Sequence, residues 1–173
     1  LDARAVAQHT EADGLAMSNA YDVQRALVGC RVARGHRRIG VKMGFTSRAK
    51  MAQMGLSDLI WGGLTSDMLI EEGGSVSAGS YVHPRCEPEL CFLLGKPLEG
   101  LVTPLEALSA VEAIAPAIEL IDSRYENFKF SLADVVADNA SSSGLVVGAW
   151  SRPDIDFSNL GLLLTVNGRT VEL

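Results

Sequence analysis

Two glutamates, Glu87 and Glu89, interrupt a largely apolar run from residue 81 to 94 at a spacing of two. Side chains alternate along a strand, so both point to one side. A third, Glu119, stands in the middle of Ala117-Ile118-Glu119-Leu120-Ile121, where an unpaired charge would cost about 3 kcal/mol or more. A cation removes that penalty. Three carboxylates with no convergent His or Cys suit a hard divalent ion, Mg²⁺ or Mn²⁺, with water or substrate oxygens completing its shell. The same glutamates also fit a solvated strand face, or pairing with Arg85 and Arg124. Pattern alone leaves both readings open.

Lys42 lies between Val41 and Met43 in a strand-like run bounded by Gly40 and Gly44. A lysine there is either a snorkelling, solvated one or a partly buried one, and burial would make it a candidate acid or base. Asp138-Asn139-Ala140-Ser141-Ser142-Ser143 is a polar cluster whose small donors could orient an oxyacid, or simply a loop with capping serines. His9, His36 and His83 show no metal spacing. Cys86 and Cys91 read as small buried hydrophobes. No GxSxG, Walker A or GxGxxG arrangement occurs, so serine hydrolase, NTPase and dinucleotide chemistries lose support.

Periodicity supplies the elements that must position these groups. A helix is expected over residues 18–35, with Ser18 as its cap and Gly35 as its stop. A strand follows at Arg37 to Gly44, then a short helix over 47–54 closed by Gly55. The glycine pairs at 62–63 and 73–74 read as a loop-rich stretch, a lid or cleft wall. A strand spans 81–94. Thr103-Pro104-Leu105-Glu106 is a capping box, and Leu105, Leu108, Val111 and Ile114 extend a helical stripe to Pro116. A second strand over 117–122 follows, then a short capped helix from Ser131 and an apolar strand at 144–150. Asn167-Gly168 joins a closing hairpin.

The expected fold class is α+β, mainly β. Two parts are expected: residues 1–80, a helical and loop-rich segment packing on the core, and residues 81–173, the core itself, apparently truncated inside its last strand. The 173 residues are 47% apolar and 21% charged, which excludes wholesale disorder. Fifteen basic against twenty-one acidic side chains give a net charge of −6, so nucleic acid is not an expected partner. No apolar stretch approaches the roughly 20 residues of a membrane span. Three cysteines without CxxC spacing and no signal-peptide pattern point to the cytoplasm.

Taken together, Gly40-Val41-Lys42-Met43-Gly44-Phe45-Thr46-Ser47, Ala49-Lys50-Met51-Ala52-Gln53-Met54-Gly55, Glu87-Pro88-Glu89 and Ile118-Glu119-Leu120-Ile121-Asp122-Ser123-Arg124 resemble the fumarylacetoacetate hydrolase superfamily. Within it they resemble the hydratase and decarboxylase branch of the meta-cleavage pathway for aromatic compounds. Tyr125-Glu126-Asn127-Phe128-Lys129-Phe130, with the Val135–Ser142 stretch, is similar to the branch's decarboxylases more than to its hydratases.

This resemblance implies a mixed β-roll with short flanking helices, an ion held at Glu87, Glu89 and Glu119, and a functional Lys42. It implies decarboxylation of a small 2-oxo dicarboxylate, 2-oxo-3-hexenedioate, with Mg²⁺ and no organic cofactor. Arg124, Asp138, Asn139, Ser141 and Ser142 are the candidates to line the substrate's second carboxylate. A homo-oligomer and a complex with the pathway hydratase are also implied. Hydration of 2-oxopent-4-enoate is the alternative, and a noncatalytic binding subunit is the reading from a different class.

Overall fold

The computed structural model describes residues 3–8, 14–47, 51, 59–156 and 160–172. His9, residues 48–50 and 52–54 of the expected second helix, its Gly55 stop, and Leu173 lie outside the described residues.

Helix α1 (Met17–Ala33) buries Ala20, Gln24 and Val28, spaced four apart so that they share one face. Its N-cap is Ala16, without a side-chain cap, and Ser18 falls inside the first turn instead. Gly35 ends the helix as expected: its φ of +95° suits glycine, and its N–H donates to the Val32 carbonyl at 2.9 Å.

Strand β1 (Arg38–Gly44) pairs antiparallel with β2 (Ile60–Thr65), Lys42 opposite Gly62. The glycine pair at 62–63, expected in a loop, is therefore inside a strand. The reason is close approach, since a Cβ on Gly62 would lie 2.4 Å from the Asn139 carbonyl oxygen.

Strands β3 (Pro84–Leu94), β4 (Val111–Asp122) and β5 (Ser142–Val147) form an antiparallel sheet with β4 in the centre. The expected helix through Val111 and Ile114 stops early. Helix α2 (Pro104–Ser109) keeps the capping box of Thr103 and Glu106, but Val111 pairs with Leu94 and the chain is already β4. Long-range pairing overrides the local helical stripe there. Pro116 is tolerated in a central strand because it lies just past the β5 pairs, where its carbonyl accepts from Gly148 N–H at 2.9 Å.

Helix α3 (Leu132–Ala137) has the second capping box, Ser131 with Asp134. A turn over residues 138–141 leads straight into β5. Strands β6 (Leu164–Val166) and β7 (Arg169–Glu172) form the expected hairpin, with Asn167 and Gly168 at φ 51° and 75° as a type I′ turn requires. The fold is thus α+β with small antiparallel sheets and few helices. No helix among the described residues is long and apolar enough to cross a membrane.

Cys86 is exposed and Cys91 half-buried, so neither is the fully buried hydrophobe expected. Strand β3 is a sheet edge, and Cys86, Phe92 and Leu94 on it are exposed.

The hydrophobic core gathers Ala20, Ile60, Ala133, Val135, Val136 and Ala140 from α1, β2, α3 and the turn. Gln24 fastens them: its Nε2, buried with 1% of the residue exposed, donates to the carbonyls of Trp61 at 2.8 Å and Val136 at 3.1 Å. Gln24→Leu keeps the volume but strips two carbonyls of their donor. It is expected to lower unfolding free energy by about 2–4 kcal/mol in urea titrations with little change in slope.

Candidate metal centre

Register and alternation deliver three carboxylates to one place. Glu87 lies directly opposite Glu119 across the β3–β4 ladder, and Glu89 is two residues along. Each offers an oxygen, and the three oxygens lie within 4.8 Å of one another. Glu87 and Glu89 are half-buried, whereas Glu119 is only 4% exposed. Like charges this close repel strongly unless something cationic stands among them.

Part of that charge is Lys42. Its Nζ sits 2.9 Å from Glu119 Oε2 and donates to the Ala140 carbonyl at 3.3 Å. Strand alternation explains the aim: Val41 and Met43 point outward and are exposed, which turns Lys42 inward. The two other cations considered for pairing are occupied elsewhere. Arg85 lies over the Phe128 ring, 3.7 Å from its centroid, and Arg124 pairs with Asp138.

Burial pushes the Glu119 carboxyl up to about 7; the Lys42 ammonium opposes that rise, and Glu87 and Glu89 add to it. Glu119 Oε1 is buried without a hydrogen-bond partner among the described residues. An orphaned buried oxygen, two further carboxylates and one lysine form a donor set that fits a hard divalent ion. Glu87, Glu89 and Glu119 could hold it.

The remaining candidates divide between two locations. Arg124 Nε meets Asp138 Oδ1, and the Arg124 backbone N–H donates to Oδ2 at 3.3 Å. This pair flanks an open groove of about 480 Å³ walled by Val6, Leu15, Val23 and Leu27. Its ion pair and hydrogen bond run between Arg124 and Asp138 themselves. Burial raises the Asp138 carboxyl to about 6 despite the Arg124 guanidinium. Asn139 is committed to the backbone of Gly63: its Oδ1 accepts from Gly63 N–H at 2.7 Å and its Nδ2 donates to Gly63 O at 2.8 Å. Ser141 and Ser142 are buried beside it, and Ser142 Oγ has no hydrogen-bond partner among the described residues.

Gly62 and Gly63 are the positions that reading the sequence missed. Two adjacent glycines between Trp61 and Leu64 were a usable sign, since glycine inside a strand marks close backbone approach.

No family model matched the chain. It is 64% identical over 170 residues to a 4-oxalocrotonate decarboxylase of Pseudomonas sp., an alignment covering 98% of this chain and 66% of that one. It is 35% identical over 159 residues to the 2-hydroxypent-2,4-dienoate hydratase of Pseudomonas putida, covering 90% of this chain and 72% of that one. A solved structure of 4-oxalocrotonate decarboxylase from Pseudomonas putida G7, complexed with magnesium and adipate, superposes with a TM-score of 0.92 at 37% identity. That match covers 97% of this chain and 65% of the other. The chain spans less than two thirds of the length of the curated decarboxylases it matches, 66% of one and 61% of two others.

The Arg124–Asp138 pair gives a pH-dependent stability. Asp138 titrates near 6 in the folded chain against an ordinary value of 3.8, so folding favours its protonated form. Its contribution is fully present below about 3.8 and is lost as pH rises through about 6. Arg124 is what limits that loss. Arg124→Gln is expected to cost about 1–3 kcal/mol at pH 8, toward the lower end because the guanidinium is half exposed. Thermal unfolding should show the difference shrinking toward pH 4, where Asp138 is largely neutral in both proteins.

Proposed function

Since the chain belongs to the hydratase and decarboxylase branch of the fumarylacetoacetate hydrolase superfamily, we propose that it is a Mg²⁺-dependent carboxy-lyase. It releases CO₂ from 2-oxo-3-hexenedioate (4-oxalocrotonate) and leaves 2-hydroxypenta-2,4-dienoate, in the degradation of aromatic compounds. The observation that carries the reading is the meeting of Glu87, Glu89 and Glu119 within 4.8 Å, with Lys42 on Glu119. Identity of 64% to a decarboxylase supports the same reaction, and adipate, bound in the related structure, is itself a six-carbon dicarboxylate.

An ion held by Glu87, Glu89 and Glu119, Mg²⁺ or alternatively Mn²⁺, supplies Lewis acidity for the negative charge that departing CO₂ leaves behind. The protein's own groups do the rest. An ammonium has three N–H donors, and Lys42 directs one toward Glu119 Oε2 and one to Ala140 O. The third is available to hold a substrate oxygen or to move a proton, and the lysine side chain is only 11% exposed, so little water competes for it. Ser142 Oγ, without a hydrogen-bond partner among the described residues, is a further neutral donor. Arg124, Asp138 and Ser141 complete the proposed substrate wall, with Asn139 behind it holding the turn in place through Gly63, and Arg124 keeps its half-exposed donors for the second carboxylate.

In this reading residues 1–80 pack on the catalytic β-roll of residues 81–173 and bring Lys42 to it. No organic cofactor is required. The proposal extends to a cytoplasmic homo-oligomer that associates with the pathway hydratase, with neither nucleic acid nor membrane as a partner.

The test is metal-stripped protein given Mg²⁺ and 2-oxo-3-hexenedioate, with CO₂ and the dienoate ultraviolet band followed together. Mg²⁺ is expected to raise the rate at least about 1000-fold, and Glu89→Gln to remove at least about 99% of it. Metal-dependent hydration of 2-hydroxypenta-2,4-dienoate without CO₂ would instead make the protein the hydratase. Silence in both assays from a folded protein would leave a binding subunit.

A further inference from the structure

Residues 139–141 form a left-handed turn without a single glycine. Asn139, Ala140 and Ser141 have φ of 54°, 53° and 58°, a region each of these residue types occupies at a cost, Ala140 with no side chain able to offset it locally. Three such residues in succession persist only where tertiary contacts impose them. Here the contacts can be named. Asn139 is 1% exposed and exchanges two hydrogen bonds with Gly63, mimicking a strand partner at the free edge of β2. The same left-handed turn brings the next carbonyl, Ala140 O, to 3.3 Å from Lys42 Nζ.

These links close a ring. Lys42 pairs with Gly62 across the β1–β2 ladder, Gly63 is held by Asn139, and Ala140 returns to the Lys42 ammonium. Gly62 also abuts the turn directly, leaving no room for a Cβ against Asn139 O. A lysine side chain has four rotatable bonds and loses much rotamer freedom when fixed. Glu119 alone would hold its tip from one direction only, and the Ala140 carbonyl supplies the second.

We infer that Asn139 is a positioning residue: by clamping the 139–141 turn onto Gly63 it aims the Ala140 carbonyl at Lys42 and so fixes the direction of the ammonium. Asn139 does this without touching substrate. The inference rests on the reading of Lys42 as the working cation of the site.

The experiment compares Asn139→Ala and Asn139→Ser with Val136→Ala in the whole protein. Val136 is fully buried in α3 and outside the ring, so its truncation sets the scale of a merely structural loss. Labelling of Lys42 by an amine-reactive anhydride at one fixed pH is read by mass spectrometry, with exposed Lys96 and Lys129 as internal standards. Labelling should quicken at least about fivefold in both Asn139 variants and less than about twofold in Val136→Ala. In turnover, kcat should fall at least about tenfold in Asn139→Ala while KM moves less than about threefold. Equal labelling in Asn139→Ala and Val136→Ala, or an unchanged kcat, overturns the inference. Should the Asn139 variants not fold, the wild-type protein decides. The Gly63 amide must then exchange at least about 100-fold more slowly than an open chain, and exchange at the open-chain rate overturns the clamp. The labelling and exchange arms need no activity: a protein silent toward 2-oxo-3-hexenedioate with fast Lys42 labelling in Asn139→Ala loses the decarboxylase reading and keeps the clamp.

Discussion

The fold is organised around a carboxylate in an unfavourable place. Glu119 stands in the central strand of a three-stranded sheet, 4% exposed, with two more carboxylates on the neighbouring strand. A buried charge left without a partner costs about 3–5 kcal/mol. Lys42 meets that demand in part, and meeting it dictates the orientation of β1. With the lysine turned inward, its neighbours Val41 and Met43 are outward, and both are exposed. An apolar strand in a core would show the reverse. The inversion follows from the ion pair, since no rule of hydrophobic burial would produce it. Three carboxylate oxygens within 4.8 Å of one another suit the site to a divalent ion.

Holding the lysine places a second demand, this time on backbone. The 139–141 turn must bring a carbonyl to Lys42 while its own amides and carbonyls stay satisfied in a buried setting, and Asn139 resolves this by acting as a strand edge for Gly63. Gly62 and Gly63 follow from the same packing, because a side chain on Gly62 would collide with Asn139 O. Gln24 ties the opposite side, joining β2 to α3 through two carbonyls. Thus α1, β2, α3 and the turn are fastened by side-chain amides where apolar packing alone would leave polar backbone unpaired.

What the sequence made legible was local chemistry. Both capping boxes, at Thr103 and Ser131, and the Asn167-Gly168 turn depend on residues a few positions apart and appear as expected. The carboxylate triad was also legible, because a charge at Glu119 in an apolar strand and an i, i+2 pair at Glu87 and Glu89 are visible anomalies. What escaped was decided at long range. The helical stripe of Leu105, Leu108, Val111 and Ile114 is real in the sequence, yet Val111 has Leu94 as a strand partner, and pairing of the whole β3–β4 ladder outweighs half a helix of four more residues. The strand at Gly62-Gly63 was hidden because it pairs with β1 across a long connection, and Asn139, the residue that requires glycine there, is 76 residues from Gly63. Ser18 looked like a cap only because its position one residue inside the helix cannot be read from residue type.

The 138–142 segment then joins the two halves of the site's electrostatics. Its first residue, Asp138, holds Arg124 at the rim of the groove, and its third, Ala140, holds Lys42 beside Glu119. Two buried acids, Asp138 and Glu119, are both raised by burial and each is opposed by its own cation. They do not share a proton network, yet one short, strained turn spans both. The dicarboxylate proposed as substrate has two charged ends, so a site for it must keep two cations in fixed relation. A rigid turn built from left-handed residues and pinned by Asn139 maintains that relation better than a flexible loop would, because shifting either end of it breaks a buried hydrogen bond at the other.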